Sequence, residues 1–368
     1  MQVRTHWPGL ILLLLLSPLA AELLSGSAPP AEFFTGWAIL LVTWYGLGAI
    51  LCRELSIRWR SGLAGLFLLG AALGILEEGI LIKTFFDPNA IDLGSLQSFG
   101  WWVGANWPWM VQLTLYHALV SITLPVLVVT SLWPEQRDRP WLSRRAILAV
   151  AGLLAVLAVL GWFILSPAGE WPPYWPGAGQ FLGALAAIGL LVAAARRIHR
   201  QPAASALTRR WPLFLAGLGW GVWQFGAWIV ADATRSTWLT IAWAAGVGLL
   251  LLAFAYRRLW PLDRPALIGA GTLAAGTWLF WSLLAFIQEA DNANRPDDTS
   301  GMALVGLVAL LLLAAYLVYL ARRWKQLRQP RSTPLNLGLS LNPQPQEGTT
   351  NPENQAHSRW RQVGRTSS

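Results

Sequence analysis

Two adjacent carboxylates lie within one of the most apolar stretches of the chain. Glu77 and Glu78 occur in the run GILEEGILIKTFF, residues 74–86. An ionised carboxylate at the centre of a membrane-spanning helix costs about 2.5–3.5 kcal/mol on insertion scales, so such groups normally face the protein interior or a water-filled cavity. Two carboxyls held close together disfavour double ionisation, which keeps one protonated and leaves the other available as a base. The pair therefore predicts a site for acid–base catalysis or for proton relay.

A histidine in the next apolar segment is the predicted partner of this pair. Thr114, His117 and Ser121 follow one another at i, i+3 and i+7, which puts all three on one polar stripe of a helix. Gln112 and Tyr116 form a second stripe on the same segment. We therefore expect His117 to face the glutamate pair from a neighbouring helix.

Small residues favour the same arrangement on the glutamate side. Gly70, Gly74 and Glu78 follow at four-residue intervals, so Glu78 shares a helix face with two residues that let a neighbouring helix approach closely. Glu77 is rotated by about 100° from that face. Lys83 is five and six residues beyond the two carboxylates, which misses the spacing that pairs side chains within a helix.

The loop between the two segments is long for a connector and carries polar residues among aromatic ones. Functional residues often lie on loops that a rigid scaffold holds. Residues 77–121 therefore predict an outward-facing site, with Glu77, Glu78 and His117 as coupling or acid–base groups. The candidates for substrate binding are Gln112, Thr114, Tyr116, Ser121, Asp87, Asn89, Asp92, Trp220 and Gln224.

The last two of these candidates come from a later segment, GLGWGVWQFGAW. Trp220 and Gln224 share one helix face with two further tryptophans, beside a GxxxG pair formed by Gly217 and Gly221 that permits close contact between helices. Both interhelical packing and the lining of an apolar ligand cavity fit this pattern.

Three roles are compatible with the predicted site. Transport or permeation of a small solute or lipid is the function that we predict, and a membrane-embedded enzyme, either an intramembrane hydrolase or a lipid-modifying enzyme, is the alternative. The third role is purely structural, with the polar groups tying helices together at about 0.6 kcal/mol each. The sequence has no HExxH or similar spacing, so it predicts no metal site, and it identifies no cofactor.

The glutamate pair partly resembles the first motif, EExxxR, of the intramembrane CAAX-protease and bacteriocin-processing family, in which a glutamate activates water. Ile82 stands where that motif has Arg, and Leu113 stands where the FxxxH motif has Phe ahead of His117. No later segment supplies HxxxN. The resemblance covers two or three residues, so we do not assign the chain to that family.

The elements that must position these residues are membrane-spanning helices. Of the 368 residues, 55% are hydrophobic and 12% are charged, and apolar runs long enough to cross a hydrocarbon core of about 30 Å recur along the chain. We predict an all-α polytopic integral membrane protein with about ten transmembrane helices in the lipid bilayer. The predicted spans are Pro8–Leu24, Phe33–Cys52, Gly62–Phe85, Pro108–Trp133, Ala146–Leu165, Trp175–Ala195, Leu213–Ala231, Trp238–Tyr256, Leu267–Ile287 and Met302–Leu320.

The distribution of positive charge predicts the orientation. Of the 27 Lys and Arg residues, 24 fall at the N-terminus, in alternate loops or after residue 321, and the other three are Lys83, Arg235 and Arg295. Because cytoplasmic loops carry an excess of Lys and Arg, we expect both termini to be cytoplasmic and the protein to span the cell membrane many times. This rule also accounts for the net charge of +9 without a nucleic-acid partner.

The two ends of the chain need separate interpretation. Residues 8–24 fit a retained helix, and less well a signal peptide, since Arg4 precedes a leucine run that ends in Ala20 and Ala21. Residues 1–325 are predicted to form one transmembrane bundle. Residues 326–368, which are basic and rich in Pro, Asn, Gln, Ser and Thr, are predicted to form a disordered cytoplasmic tail.

Overall fold

The chain folds into a bundle of long helices. The computed structural model describes residues 5–35, 37–166, 168–169, 171–199, 209–259, 263–294 and 297–328. Within these ranges nine helices are long and apolar enough to cross a membrane, and a tenth, at the start, is shorter. In chain order the ten are α1 Trp7–Leu23, α2 Trp37–Trp59, α3 Gly62–Leu81, α4 Trp107–Leu132, α5 Arg144–Ile164, α6 Ala178–Arg197, α7 Trp211–Thr234, α8 Thr237–Leu259, α9 Arg264–Ala290 and α10 Met302–Arg328.

The predicted fold class is confirmed, and so are the approximate positions of the helices. The predicted tail, residues 326–368, lies almost entirely outside the described residues, as does Arg295. Shorter elements connect the helices. They are a helical turn at Pro30–Phe33, 3-10 turns at Ile91–Ser98, Pro134–Gln136 and Asn292–Asn294, and a two-stranded hairpin of β1 Trp101–Trp102 and β2 Ala105–Asn106.

Burial divides the helices into inner and outer sets. In α3, α4 and α9, most residues of the apolar part of the helix are buried by the rest of the protein. In α5, α6, α8 and α10, less than a quarter of these residues are buried. The outer helices expose large apolar side chains, among them Leu148, Phe163, Leu190, Leu250 and Leu311. Such an apolar exterior would be unstable in water and suits a hydrocarbon environment.

Glycine permits the closest helix contacts, as the spacing of Gly70 and Gly74 predicts. A Cβ atom added at Gly74 would lie 2.7 Å from the Cβ of His117, and one added at Gly70 would lie 2.9 Å from the Cα of Ala118. The α3 helix therefore packs with its backbone directly against the part of α4 that carries the histidine. Gly217 in α7 approaches the backbone of α9 at Leu273 in the same way.

Five of the long helices contain a π-helical turn, in which an N–H bonds to the carbonyl five residues earlier. Four of these turns lie in the first four helices: Leu19–Leu23 in α1, Val42–Gly46 in α2, Glu77–Leu81 in α3 and His117–Thr123 in α4. The bonds from Leu24 N to Leu19 O, at 2.8 Å, and from Ile82 N to Glu77 O, at 2.9 Å, are examples. The fifth turn, Ala242–Val247, lies in α8.

The two ends of the bundle are closed differently. At the arginine end, Arg53 and Arg58 of α2 bind backbone carbonyls of the segment between α4 and α5. At the opposite end, which we call the loop end, the Nζ of Lys83 donates to the carbonyls of Trp162, at 2.8 Å, and Leu165, at 2.6 Å. Lys83 thus satisfies carbonyls that the C-terminus of α5 leaves without a partner.

The loop before α4 is folded and not open. Its Leu93 and Leu96 are fully buried. The side chain of Asn106 donates to the carbonyls of Leu96, at 2.8 Å, and Phe99, at 3.0 Å, and accepts from the N–H of Trp109, at 3.2 Å, as the N-cap of α4. One amide side chain therefore joins the loop to the start of the helix that carries His117.

Candidate functional site

The glutamate pair and the histidine lie in direct contact between α3 and α4. The Nε2 of His117 lies 2.9 Å from the Oε1 of Glu78, and its Nδ1 lies 3.1 Å from the Oγ of Ser121 and 3.5 Å from the Oε2 of Glu77. All three ionisable side chains are at most 5% exposed. We call Glu22, Tyr45, Glu77, Glu78 and His117 the carboxylate–histidine cluster.

Two members of this cluster come from helices that the sequence analysis did not connect with the site. The hydroxyl of Tyr45, in α2, hydrogen-bonds with Glu77 and also with Glu22 of α1. The Tyr45 ring stacks on the His117 ring with centroids 5.9 Å apart and an angle of 19° between the planes. A carboxylate in an apolar run drew attention to Glu77 and Glu78, and the same signal is present at Glu22 in LAAELL.

The loop end of the site is closed by hydroxyl and indole groups. Thr84 donates to the Oε2 of Glu78 and in turn accepts from the Nε1 of Trp109 at 3.0 Å. Because Thr84 follows the end of α3 and Trp109 lies in the first turn of α4, this chain links the two helices at the point where the loop begins. It leaves Glu78 with one oxygen bonded to Thr84 and the other facing His117.

Hydrogen-bond donors are scarce in the cluster. Three carboxyl groups offer six oxygens, and the Tyr45 hydroxyl has one hydrogen although it contacts both Glu22 and Glu77. One of these two carboxyl groups must therefore carry a proton in this arrangement. The Oε2 of Glu77 has no hydrogen-bond partner among the described residues. The cluster thus has room for a further proton or cation.

The predicted binding residues on α4 and α7 divide into those that reach the cluster and those that do not. Ser121 bonds to His117, and the hydroxyl of Tyr116 donates to the carbonyl of Ala21 at 2.6 Å, beside the histidine ring. Thr114 is half-buried on α4. The π-helical turn that starts at His117 interrupts the regular spacing from which the single stripe was predicted.

The α7 candidates lie in a separate layer. Gln112 donates to the carbonyl of Gln224 at 3.3 Å, so the two residues connect α4 with α7 away from the glutamates. Trp220 is 1% exposed and packs edge-on against Trp223, with ring centroids 5.5 Å apart. Of the two interpretations that fit the sequence, these contacts favour interhelical packing for Trp220 and Gln224.

The loop candidates differ in burial. Asp87 is buried, and its Oδ1 accepts from the N–H of Asn89 at 2.9 Å, which is a local turn. Asn89 and Asp92 are exposed. In the part of the chain that the structure describes, none of the three forms a hydrogen bond with the cluster.

The polar network is confined to the half of the bundle nearer the loop end. Its deepest link is the bond from the Oγ of Ser17 to the carbonyl of Ser121, at 2.5 Å. Toward the arginine end, the same four helices pack through buried apolar side chains, including Leu13, Ala49, Leu66 and Leu127. The hydroxyls of Thr123 and Thr130 donate to backbone carbonyls of their own helix. Among the described residues the network does not continue through the bundle.

A small apolar cleft lies between α1, α4 and α9, where Leu16, Ala20, Val120, Leu124, Trp278 and Trp281 line it. Tyr116 of α4 does not line the cleft, but its ring contacts the Trp281 ring at a centroid distance of 6.3 Å and the His117 ring at 5.4 Å. The Tyr116 side chain therefore contacts both a residue of the cleft and a residue of the cluster.

The side chains of the cluster include a set suited to a metal ion. Glu77, Glu78 and His117 each offer one ligand atom, and these atoms lie within 4.8 Å of one another. Comparison with known proteins assigns no activity to this arrangement, since no curated protein and no solved structure matches the chain. A family model matches residues 11–339, which include every residue of the cluster, and the chain accordingly belongs to the family described as an uncharacterized membrane protein family.

Proposed function

We propose that this protein is a membrane-embedded enzyme whose acid–base centre is the carboxylate–histidine cluster. The observation that carries the proposal is the convergence of four π-helical turns, one from each of α1 to α4, on a single site. Glu22, Tyr45, the glutamate pair and His117 all lie in these turns. A π-helical turn is rare and less stable than a regular one, and such turns occur frequently at functional sites.

The cluster has the parts that acid–base catalysis needs. The unpaired Oε2 of Glu77 can accept a proton from water or from a hydroxyl of a substrate. His117 contacts both glutamates and can pass a proton between them. The Tyr45 hydroxyl connects Glu77 with Glu22, which is only half-buried and can exchange protons with the exterior.

The neighbouring cleft suggests the class of substrate. The lining of the cleft is apolar, which suits a molecule with a hydrocarbon chain and a polar reacting group, such as a lipid ester. The cleft is small, so α1, α4 and α9 would have to separate to admit such a molecule. The substrate would then reach the centre from the bilayer and not through the folded loop.

The one-sided position of the site favours an enzyme over a transporter. Alternating access must expose a coupling site to both faces of the membrane. The polar network here ends at Ser17 and Ser121, and buried Leu and Ala side chains fill the remaining half of the same four helices. Transport of a small solute or lipid, which the sequence favours, stays a prediction that no observation yet tests.

The proposal is tested with purified protein reconstituted in vesicles made from the total lipid extract of the expression host. Mass spectrometry of the lipids before and after incubation should reveal a product formed by the wild-type protein. The double variant Glu77→Gln, Glu78→Gln should form it at least 100-fold more slowly, as expected on loss of a general base. Glu32→Gln, at an exposed glutamate outside the cluster, is the matched control.

Two outcomes would contradict the proposed enzymatic activity. Equal product formation by the wild type and the double variant would exclude the cluster as the catalytic centre. A solute leak across the vesicles that the double variant abolishes, with no lipid converted, would favour transport instead.

We also propose that both termini face the cytoplasm and that the protein resides in the cell membrane. The supporting observation is the charge distribution, in which 24 of the 27 cations lie on one set of loops and termini. An alkaline phosphatase that is active only outside the cytoplasm should be active when fused after Asn292 and silent when fused after Arg328. The opposite pattern would reverse the orientation.

A further inference from the structure

We propose that Glu77, Glu78 and His117 bind one divalent metal ion of the first transition row, with Zn²⁺ as the reference case. This inference deepens the proposed function by naming a cofactor for the same centre. The sequence shows no metal motif because two ligands are adjacent on α3 and the third lies on α4, about forty residues later. Only the packing of α3 against α4 brings the three together.

Each of the three residues has one atom fixed from outside and another directed inward. Tyr45 binds the Oε1 of Glu77, Thr84 binds the Oε2 of Glu78, and Ser121 lies 3.1 Å from the Nδ1 of His117. The carboxylate oxygens left over are the Oε2 of Glu77, which lies 3.5 Å from the Nδ1 of His117, and the Oε1 of Glu78, which lies 2.9 Å from the Nε2. Three hydroxyl groups thus orient three ligands, which is the outer-shell arrangement that metal sites use.

The unpaired oxygen is an independent indication that a ligand is expected. The Oε2 of Glu77 is buried and has no hydrogen-bond partner, although its residue is 5% exposed. Buried polar atoms of native proteins are nearly always satisfied, and an unsatisfied charged group is costlier still. The one polar contact of this oxygen among the described residues is the ion pair with the Nδ1 of His117 at 3.5 Å, and a metal ion at the centre would give this oxygen a direct ligand bond.

The distances between the ligand atoms require only small adjustments. Ligand atoms around a tetrahedral Zn²⁺ are separated by about 3.3 Å, given metal–ligand distances of about 2.0–2.1 Å. The His117 Nε2 and the Glu78 Oε1 are 2.9 Å apart, and the third ligand atom lies within 4.8 Å. A movement of about 1.5 Å by the Glu77 carboxylate therefore completes the site. Such a movement breaks no hydrogen bond of its Oε2 atom.

Charge and ligand chemistry select the metal class. Two carboxylates and a neutral imidazole neutralise a divalent cation, which suits a centre placed within a membrane. Imidazole with carboxylate is a typical set for zinc and its neighbours, whereas calcium prefers oxygen ligands alone. Because the ligands must be deprotonated to bind a metal ion, binding should release any proton that they hold and acidify the medium.

The experiment measures metal binding directly, with protein purified through a tag that contains no histidine. After treatment with a chelator, the full-length protein in detergent is titrated with Zn²⁺ and, as a coloured probe, with Co²⁺. We expect one metal ion per chain, a visible Co²⁺ spectrum that Zn²⁺ abolishes, and proton release detected in weakly buffered solution.

Variants separate this site from adventitious binding. His117→Gln and Glu78→Gln should each lose the Co²⁺ spectrum, and Ser121→Ala, which keeps all three ligands, should weaken binding about 10–100-fold. His199→Gln, at an exposed histidine outside the cluster, should bind as the wild type does. Size-exclusion chromatography confirms that each variant is folded, and Ser121→Ala supplies the test if a ligand variant is not.

The outcomes distinguish this inference from the proposed function. Absence of stoichiometric binding, or binding that survives both ligand substitutions, would overturn the metal site. Lipid conversion by chelator-treated protein at the full rate would do so as well, while leaving the acid–base centre intact. Loss of conversion on chelation and its return with Zn²⁺ would support both.

Discussion

Two groups of buried charges contact α2, one at the arginine end and one in the half of the bundle nearer the loop end, and they are satisfied in different ways. At the arginine end, both oxygens of Glu54 are occupied: Oε1 accepts from Arg53, at 2.7 Å, and from the N–H of Trp141, at 2.9 Å, and Oε2 accepts from the N–H of Leu142, at 3.1 Å. Arg53 also lies over the Trp141 ring, 3.1 Å from its centroid. This group pairs opposite charges and joins α2 to the segment before α5.

The carboxylate–histidine cluster lacks such closure. Three carboxyl groups face one histidine, and one tyrosine hydroxyl contacts two of them. The Oε2 of Glu77 has no hydrogen bond among the described residues and only an ion-pair contact with His117 at 3.5 Å. At the arginine end both carboxylate oxygens of Glu54 are matched by donors, although the Nε of Arg53 and the Nε1 of Trp141 have no hydrogen-bond partner among the described residues. Such an ion pair holds helices in place, and protonating its carboxylate can only weaken it. A cluster with more acceptors than donors can take up a proton or a metal ion. The difference supports the proposal that the functional site lies in the half of the bundle nearer the loop end.

The largest effect on stability is expected at the arginine end. Glu54→Ala leaves Arg53 buried without its partner, so we expect a loss of about 3–5 kcal/mol. Thermal unfolding in detergent, followed by intrinsic fluorescence, measures it. Glu135→Ala, an exposed glutamate at the same end, is the control and should leave the midpoint within a degree or two. Equal unfolding midpoints for the two variants would contradict the proposal that Glu54 stabilises the contact between α2 and the segment before α5.

A smaller loss is expected where the two functional helices touch. Gly74→Ala places a methyl group 2.7 Å from the Cβ of His117, so α3 and α4 must separate slightly, at a cost of about 1–3 kcal/mol. Gly189→Ala, on the outer helix α6 with open space around it, should be neutral or stabilising by about 0.5–1 kcal/mol. The difference between the two midpoints measures how closely the site depends on this contact. If both substitutions stabilise the protein, the close packing is not present in solution.

The smallest effect on stability is expected within the cluster itself. Changing Glu77 and Glu78 to Gln keeps size and most hydrogen bonds while removing charge, so the free energy of unfolding should change by less than about 1 kcal/mol or increase slightly. Lipid conversion should nevertheless be lost. If the double variant is as unstable as Glu54→Ala, the cluster has a structural role like that of Arg53 and Glu54.

The sequence predicts the helices well because apolar length alone determines them, and all ten predicted spans overlap helices in the structure. It also indicates Glu77, Glu78 and His117, since an ionisable residue in an apolar run is costly wherever the helix packs. Tyr45 and Glu22 could not be connected with them, because no local pattern specifies which faces of α1 and α2 meet α3. The π-helical turns are a further obstacle, since they break the regular spacing on which the predicted stripes rest.

The central claim is that the carboxylate–histidine cluster holds an exchangeable proton, whereas the Arg53–Glu54 pair holds none. Infrared difference spectroscopy of the purified protein tests it through the C=O stretch of a protonated carboxyl group. The account predicts such a band at neutral pH that shifts in D₂O and is lost when Glu22 and Glu77 are both changed to Gln. The band should persist in Glu32→Gln. A wild-type spectrum without a protonated carboxyl band, or a band that remains unchanged in the Glu22→Gln, Glu77→Gln double variant, would contradict the claim.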